Sequence, residues 1–370
     1  MVIVGGGQAG LATGFYLRRA GLRPDEDFVI LDAGEAPGGA WRHMWPGLRL
    51  FSPSTYSSLP GWMMPSWDDK RHGYPPRSHV VEYLTGYEDR YDLAVRHGVQ
   101  VRSVRPADDA SGRGAGFVLG TSAGTVRARV VVSTTGTWSR PFWPVYPGAE
   151  TFAGRQQHAA DYRSATEFVG RRVVIVGGGN SAAQILAEVS ANPAVAETLW
   201  VTRHPPRFLP DDVDGRALFA AATQRVRALR EGRTHDGVGG LGDIVMVAGV
   251  RDARDRGVLK AHPMFTGFTE TGVEWVDGSA AAVDAVIWCT GFRPALRHLA
   301  PLGLRDVAGH IATEPRDGAP GTQVVGTSGL FLVGYGDWTG PASATLIGVG
   351  RTARDTAADV VAHLNERAAS

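Results

Sequence analysis

The sequence predicts an α/β protein with two Rossmann-like dinucleotide-binding domains, the second inserted into the first. Three observations carry that reading. Gly5-x-Gly7-x-x-Gly10 follows directly on the apolar run Val2-Ile3-Val4, and Gly177-x-Gly179-x-x-Ala182 follows Val173-Val174-Ile175-Val176. Each puts a short buried strand into a tight glycine turn and then a helix. The free N–H groups and positive dipole end of that helix suit a diphosphate. The third observation is size: 370 residues leave room for two domains with separate cores.

Taken in order, the first βαβ unit runs from Val2 through a helix over about Ala9 to Ala20 to the strand Phe28-Val29-Ile30-Leu31. Asp32 closes that strand about 20 residues past the glycines, where a carboxylate accepts from ribose hydroxyls. Gly5, Gly7, Gln8, Ala9 and Gly10 with Asp32 therefore read as a site for FAD, whose adenosine ribose keeps its 2′-hydroxyl. The proline- and tryptophan-rich stretch from Pro37 to Pro76 should be irregular, and Val80 to Val95 reads as an amphipathic helix. Strand patterns follow near Phe117-Val118-Leu119 and over Val126 to Ser133. Pro141, Pro144 and Pro147 then mark a crossing between domains.

The second unit spans roughly Arg171 to Val201, with Gly177, Gly179, Asn180 and Ser181 as its cradle. Its second strand, Thr198 to Thr202, ends in Arg203-His204, with Arg207 shortly after and no acid at the ribose position. A carboxylate there would repel a 2′-phosphate, whereas a guanidinium pairs with it, so the coenzyme reads as NADPH and not NADH. Two buried strands emerge into Thr-Gly turns, Val131 to Gly136 and Asp284 to Gly291. Another strand, Gly329 to Val333, leads to Asp337, placed to accept from ribityl hydroxyls. The closing helix is expected from Thr345 to Asn365, its N-terminus aimed at the flavin N1–C2=O edge. The expected division is 1–149 and 286–370 for FAD, with 150–285 for NADPH.

Composition narrows the partners. Net charge is +1, with 43% hydrophobic and 20% charged residues, as in a soluble globular protein. That balance gives no electrostatic case for nucleic acid or an acidic membrane surface. No apolar run approaches the roughly 20 residues of a bilayer span. The chain enters a core strand at once, leaving no room for a signal peptide, so a cytoplasmic enzyme is expected. Cys289 is the one cysteine, which excludes a redox-active pair within the chain. His43, His72 and His79 lack metal-ligand spacing, and no metal is expected.

Between the domains lies Phe152-x-Gly154-x-x-x-His158-x-x-x-Tyr162. With Gly38-Gly39-x-Trp41 it resembles the fingerprint of the flavin-containing monooxygenases and their Baeyer–Villiger relatives, over essentially the whole chain. Tyr162 matches the N-oxide and S-oxide branch, since Trp is usual there in the Baeyer–Villiger branch. The block Gly334 to Arg354 resembles a narrower group, the short flavin monooxygenases of bacterial arsenic-resistance operons (ArsO type).

The resemblance implies that NADPH reduces bound FAD and that a C4a-peroxyflavin passes one atom of oxygen to a small-molecule substrate. The acceptor would be a nucleophilic heteroatom, with trivalent arsenic as one candidate. It places Gly39 and Trp41 on the flavin loop and makes His158 a residue that orders the hinge. Ser52, within Phe51-Ser52-Pro53-Ser54, stands where the superfamily often has an Asn near nicotinamide and flavin. That makes Ser52 the catalytic candidate, and Ser52 to Trp62 the expected substrate wall. An NADPH oxidase or electron-transfer reductase would use the same two sites, and that alternative stays open at this level. The sequence does not set the oligomeric state.

Overall fold

In the computed structural model, residues 1–68, 73–107, 116–233, 243–304 and 310–369 are described. His72 lies outside them. In chain order the elements begin with β1 (Val2–Val4), α1 (Gln8–Arg19), β2 (Val29–Leu31), α2 (Arg77–Tyr91) and β3 (Val95–Arg96). A meander of β4 (Val101–Pro106), β5 (Phe117–Thr121) and β6 (Gly124–Ala128) precedes β7 (Val131–Ser133) and β8 (Arg155–His158). Next come β9 (Arg172–Val176), α3 (Asn180–Ala191), β10 (Glu197–Thr202), α4 (Gly215–Arg230) and α5 (Ala248–Asp255). The chain continues through β11 (Ala261–Pro263), β12 (Gly267–Thr269), β13 (Gly272–Glu274) and β14 (Ala280–Ala282). It ends with β15 (Ala285–Trp288), β16 (Leu330–Leu332) and α6 (Val349–Ala369).

Two five-stranded parallel sheets result, ordered β16-β7-β1-β2-β3 and β11-β10-β9-β15-β8. Alternation along the strands decides what covers each face. Ile3, Ile30, Val132 and Phe331 point to α1, α2 and α6, while Val2, Val4, Val131 and Leu330 point to the β4–β6 meander. The second sheet repeats the plan. Val173, Ile175 and Ile287 face α3 and α5, whereas Val174, Val201 and Val286 face the antiparallel β12–β13–β14 meander. The two halves are thus related, as the paired glycine motifs suggest.

Several boundaries differ from expectation. The helix expected over Val80 to Val95 starts at Arg77, beside Pro76, and stops at Tyr91 because Asp92 takes a left-handed φ of 45°. Val95 then joins the first sheet as β3. The apolar run Val126 to Ser133 is two strands in different sheets, β6 in the meander and β7 beside β1. The closing helix begins at Val349, leaving Thr345 in the turn before it. Strand β15 lies inside the second sheet, so the passage back to the first begins past Trp288, beyond the expected division at residue 285.

Candidate functional site

The first sheet's connections diverge between β1 and β7, at the carboxyl ends of its strands, where open α/β sheets bind ligands. There the turn after β1 is packed backbone on backbone. Gly5 has φ +110°, and a Cβ on Gly10 would fall 1.9 Å from the Gly5 carbonyl oxygen. Gly7 differs from both. It takes an ordinary φ of −76°, and an added Cβ would meet only Gly39 Cα, at 3.9 Å. The fold does not need glycine at position 7; its absence of side chain opens a path to the first N–H groups of α1, which no capping side chain engages. That cradle fits a diphosphate.

Asp32 sits beside the same turn, accepting from Gly6 N–H and from Gly34 N–H, each at 2.8 Å. A Cβ on Gly6 would lie 2.5 Å from Asp32 Oδ2, so Gly6 is what lets the acid approach. Ala9 abuts Gly334, where a Cβ would come within 2.7 Å. The flavin-loop residues close the cradle from the far side. Gly39 opens a 3₁₀ turn, Gly39–His43, and its backbone meets that of Gly7. Trp41 Nε1 donates to Gln8 Oε1 at 3.0 Å, and Gln8 Nε2 donates to the Ala344 carbonyl at 2.7 Å. Thr345, next in the chain, donates to the Ala342 carbonyl (2.7 Å) and accepts from Gly348 N–H (3.0 Å), shaping the turn into α6. Asp337 is exposed and lies 3.3 Å from Arg225 of α4.

Gly136 and Gly291 mark the two passages between the sheets, and both have positive φ with open space where a Cβ would stand. The passages pair antiparallel at Pro141 and Phe292, with the Trp138 and Phe292 rings stacked at 5.0 Å. Each threonine of the Thr-Gly turns reaches across. Thr135 Oγ1 donates to the Ala295 carbonyl (2.8 Å), and Thr290 Oγ1 to the Phe142 carbonyl (2.5 Å). His158, at the end of β8, is buried against this crossing. Its Nδ1 accepts from Ala160 N–H at 3.1 Å, so Nε2 carries the proton and donates to the Gly291 carbonyl at 3.1 Å. Burial lowers the imidazole pKa below its ordinary value, which favours the neutral ring.

In the second sheet, Gly177 turns with φ +140°, and a Cβ there would fall 2.4 Å from the Cys289 carbonyl oxygen. Gly179 precedes α3 without a side-chain cap, and Gly177 lines a cleft of about 640 Å³. Arg203 and Arg207 line the same cleft. Arg207 pairs with Asp243 at 2.7 Å, whereas among the described residues no hydrogen bond or ion pair engages Arg203. Asn180 grips the loop around Asp243 through its carbonyl and through Val245 N–H, both at 2.9 Å. Ser181 is exposed at the helix start. Cys289 also lines the cleft, and burial pushes its thiol pKa up to about 12, so it stays protonated near neutral pH.

Ser52 contacts Ser57 and the start of α4. It is buried, its Oγ is 2.7 Å from Ser57 Oγ, and its Cβ packs so closely on Gly215 that a Cβ there would be 2.6 Å away. The Trp62 ring lies tilted against that of Tyr83, with centroids 5.2 Å apart, and reaches Gly86, which fixes it to α2. Sequence reasoning also passed over Gly6, Asp243, Gln184 and Glu188. For Gly6 a signal was present, three consecutive glycines at 5–7; for the others none was, because their partners are far away in sequence.

Two diphosphate cradles joined by one paired crossing define a dinucleotide-dependent oxidoreductase. The family described as pyridine nucleotide-disulphide oxidoreductase matches residues 2–231. A flavin-containing monooxygenase from Stenotrophomonas maltophilia is similar at 45% identity and a TM-score of 0.85, covering 98% of each chain. A double mutant of a flavin monooxygenase from that organism gives 46% identity with the same coverage and TM-score. The indole-3-pyruvate monooxygenase YUCCA1 of Oryza sativa is 26% identical over 99% of this chain and 92% of its own. The chain belongs to the pyridine nucleotide-disulphide oxidoreductase family and, within it, to the flavin-containing monooxygenases. It is a flavin-dependent oxidoreductase with a single cysteine, so disulphide chemistry through an internal pair is closed to it. None of the described helices is long and apolar enough to cross a membrane.

Proposed function

We propose that the chain is an NADPH- and FAD-dependent monooxygenase that transfers one oxygen atom to a nucleophilic heteroatom of a small molecule. The observation that carries this is the pair of open cradles, at Gly7 and at Gly177–Gly179, in a chain 46% identical to a flavin monooxygenase over 98% of its length. FAD fits residues 1–149 and 286–370. The α1 N-terminus would face its diphosphate, Asp32 its adenosine ribose, and Gly39, Trp41 and Gln8 the flavin loop. Asp337 would accept from its ribityl hydroxyls, and the turn at Thr345 would lead α6 toward the flavin edge. NADPH fits residues 150–285 with β15 completing that sheet, Gly177, Gly179, Asn180 and Ser181 at its diphosphate and Arg203 at its 2′-phosphate.

When bound, FAD supplies the chemistry, taking a hydride from NADPH and activating dioxygen. The chain's own residues bind, align and shield. Among the described residues Arg203 offers an unpaired guanidinium, and Arg207 one already balanced by Asp243. The neutral His158 and the reciprocal Thr135 and Thr290 bonds fix the crossing that sets one cradle against the other. Gly136 and Gly291 supply the positive φ that each passage takes there.

The finer reading, that the acceptor is trivalent arsenic, rests on the resemblance of Gly334 to Arg354 to arsenic-operon enzymes. With one cysteine the chain cannot assemble a multi-thiolate trap, so any arsenite site is weak and lined by hydroxyl and aromatic groups. NADPH oxidation, peroxide release and product are measured with arsenite, with amines and with sulfides. A heteroatom substrate should raise NADPH turnover and lower peroxide in proportion to oxygenated product. No arsenate from arsenite ends the arsenic reading; peroxide equal to NADPH with every substrate makes the chain an oxidase.

A further inference from the structure

We propose that Gln184 and Glu188 are positioning residues that hold residues 45–52 of the flavin side against α3, the helix whose N-terminus would receive the coenzyme diphosphate. Asn180, Gln184 and Glu188 recur every fourth residue and form one polar stripe along α3. Each grips a different segment. Asn180 holds the loop at Asp243 and Val245, at 2.9 Å to each. Gln184 meets the backbone of Arg49 twice, its Oε1 accepting from N–H at 3.3 Å and its Nε2 donating to the carbonyl at 3.4 Å. Glu188 Oε1 accepts from the Tyr162 hydroxyl at 2.9 Å.

The flavin-side segment is shaped to receive these groups. A Cβ on Gly47 would fall 2.3 Å from Glu188 Oε2, so glycine there lets the carboxylate hold this position, and a side chain would make it shift. Trp45 is buried and packs edge-on against the Tyr162 ring, with centroids 6.2 Å apart. Farther along, the Phe51 carbonyl accepts from Gly215 N–H at 2.8 Å at the start of α4. The segment continues directly from the turn Gly39–His43, whose backbone meets Gly7. One stripe on α3 therefore links the coenzyme cradle, the hinge tyrosine and the wall of the flavin cradle. Burial raises the Glu188 pKa, and a carboxylate placed there costs stability that an apolar residue would not. Alignment, on the other hand, gains from a directional contact.

This inference rests on reading the two cradles as FAD and NADPH sites. Hydride transfer depends steeply on alignment, so loosening the stripe slows flavin reduction with both cofactors still bound. Holoenzymes carrying Glu188→Leu, Glu188→Gln and Gln184→Ala are mixed anaerobically with NADPH, and their visible flavin spectra are recorded with and without NADP⁺. Glu188→Leu and Gln184→Ala should reduce about tenfold or more slowly, with FAD content and apparent NADPH Kd near those of the parent. Their spectral response to NADP⁺ should shrink. Glu188→Gln should regain the parent rate, because an amide oxygen still accepts from Tyr162. Parent rates and spectra in Glu188→Leu and Gln184→Ala overturn the proposal, as does a Glu188→Gln enzyme as slow as Glu188→Leu. If Glu188→Leu does not fold, Gln184→Ala decides alone, since its amide is partly exposed. A parent enzyme that NADPH leaves oxidised overturns the reading of the cradles, and the proposal with it.

Discussion

His158 Nε2 and the carbonyl oxygen of Gly291 lie 3.1 Å apart, one at the end of β8 and the other in the passage that leaves β15. The Ala160 N–H bond to Nδ1 fixes the tautomer that donates here. On the proposed reading, the residue aligns the two cradles and takes no part in proton transfer. His158→Ala should therefore slow anaerobic flavin reduction by about tenfold while leaving FAD bound. Normal reduction in that variant would make the contact merely structural.

The same burial sets a pH dependence. The folded imidazole titrates below its ordinary value of 6.5, so on acidification the unfolded chain gains a proton first. Stability contributed by the neutral ring is complete above about pH 6.5 and is lost as pH falls through the lower, folded pKa. His158→Gln has no such group. Its melting temperature should fall less steeply than that of the parent on the acid side, and equal slopes would contradict the assignment.

Gly7 and Gly10 should part company under substitution. Gly7→Val has space and an ordinary φ, so the apoprotein should melt near the parent temperature yet retain no flavin. Gly10→Val drives side-chain atoms into the Gly5 carbonyl and should unfold the domain. Flavin content and thermal melts of the two variants check this. Full flavin in Gly7→Val would remove the diphosphate from this turn.

Arg203 and Arg207 should also differ. Arg203→Ala removes a cation that has no partner among the described residues, and the Michaelis constant for NADPH should rise roughly tenfold or more with NADH little changed. Arg207→Ala should do less, because Asp243 already balances that charge. Equal use of NADH and NADPH by the parent would end the argument.

Gln8 bridges Trp41 and the Ala344 carbonyl, so Gln8→Leu cuts the flavin loop from the turn before α6 and takes the partner from the half-buried Trp41 Nε1. FAD dissociation measured by flavin fluorescence should be faster by several-fold to tenfold. An unchanged dissociation rate would show that the loop is held by other contacts.

How much of this could be read in advance follows from range. The glycine turns and the strands Val2–Val4 and Arg172–Val176 are legible because their chemistry is local: neighbours in sequence are neighbours in space. Helix α4 carried a readable signal in the Asp214 cap followed by Leu218, Phe219 and Val226, buried on one face. Strands β11 to β14 carried almost none, since three residues are too few for alternation to show and β14 is all alanine. The boundary errors at Val95 and Thr345 have local causes, a left-handed Asp92 and a turn closed by the Thr345 hydroxyl. Glu188 and Gln184 were invisible because their partners, Tyr162 and Arg49, lie in other segments.

The most direct test of the two-cradle account is anaerobic titration of the purified protein with NADPH, followed by denaturation and identification of the released flavin. The account predicts one bound FAD per chain, bleached by NADPH and restored by oxygen. Release of FMN, or a flavin that NADPH leaves oxidised, would contradict it.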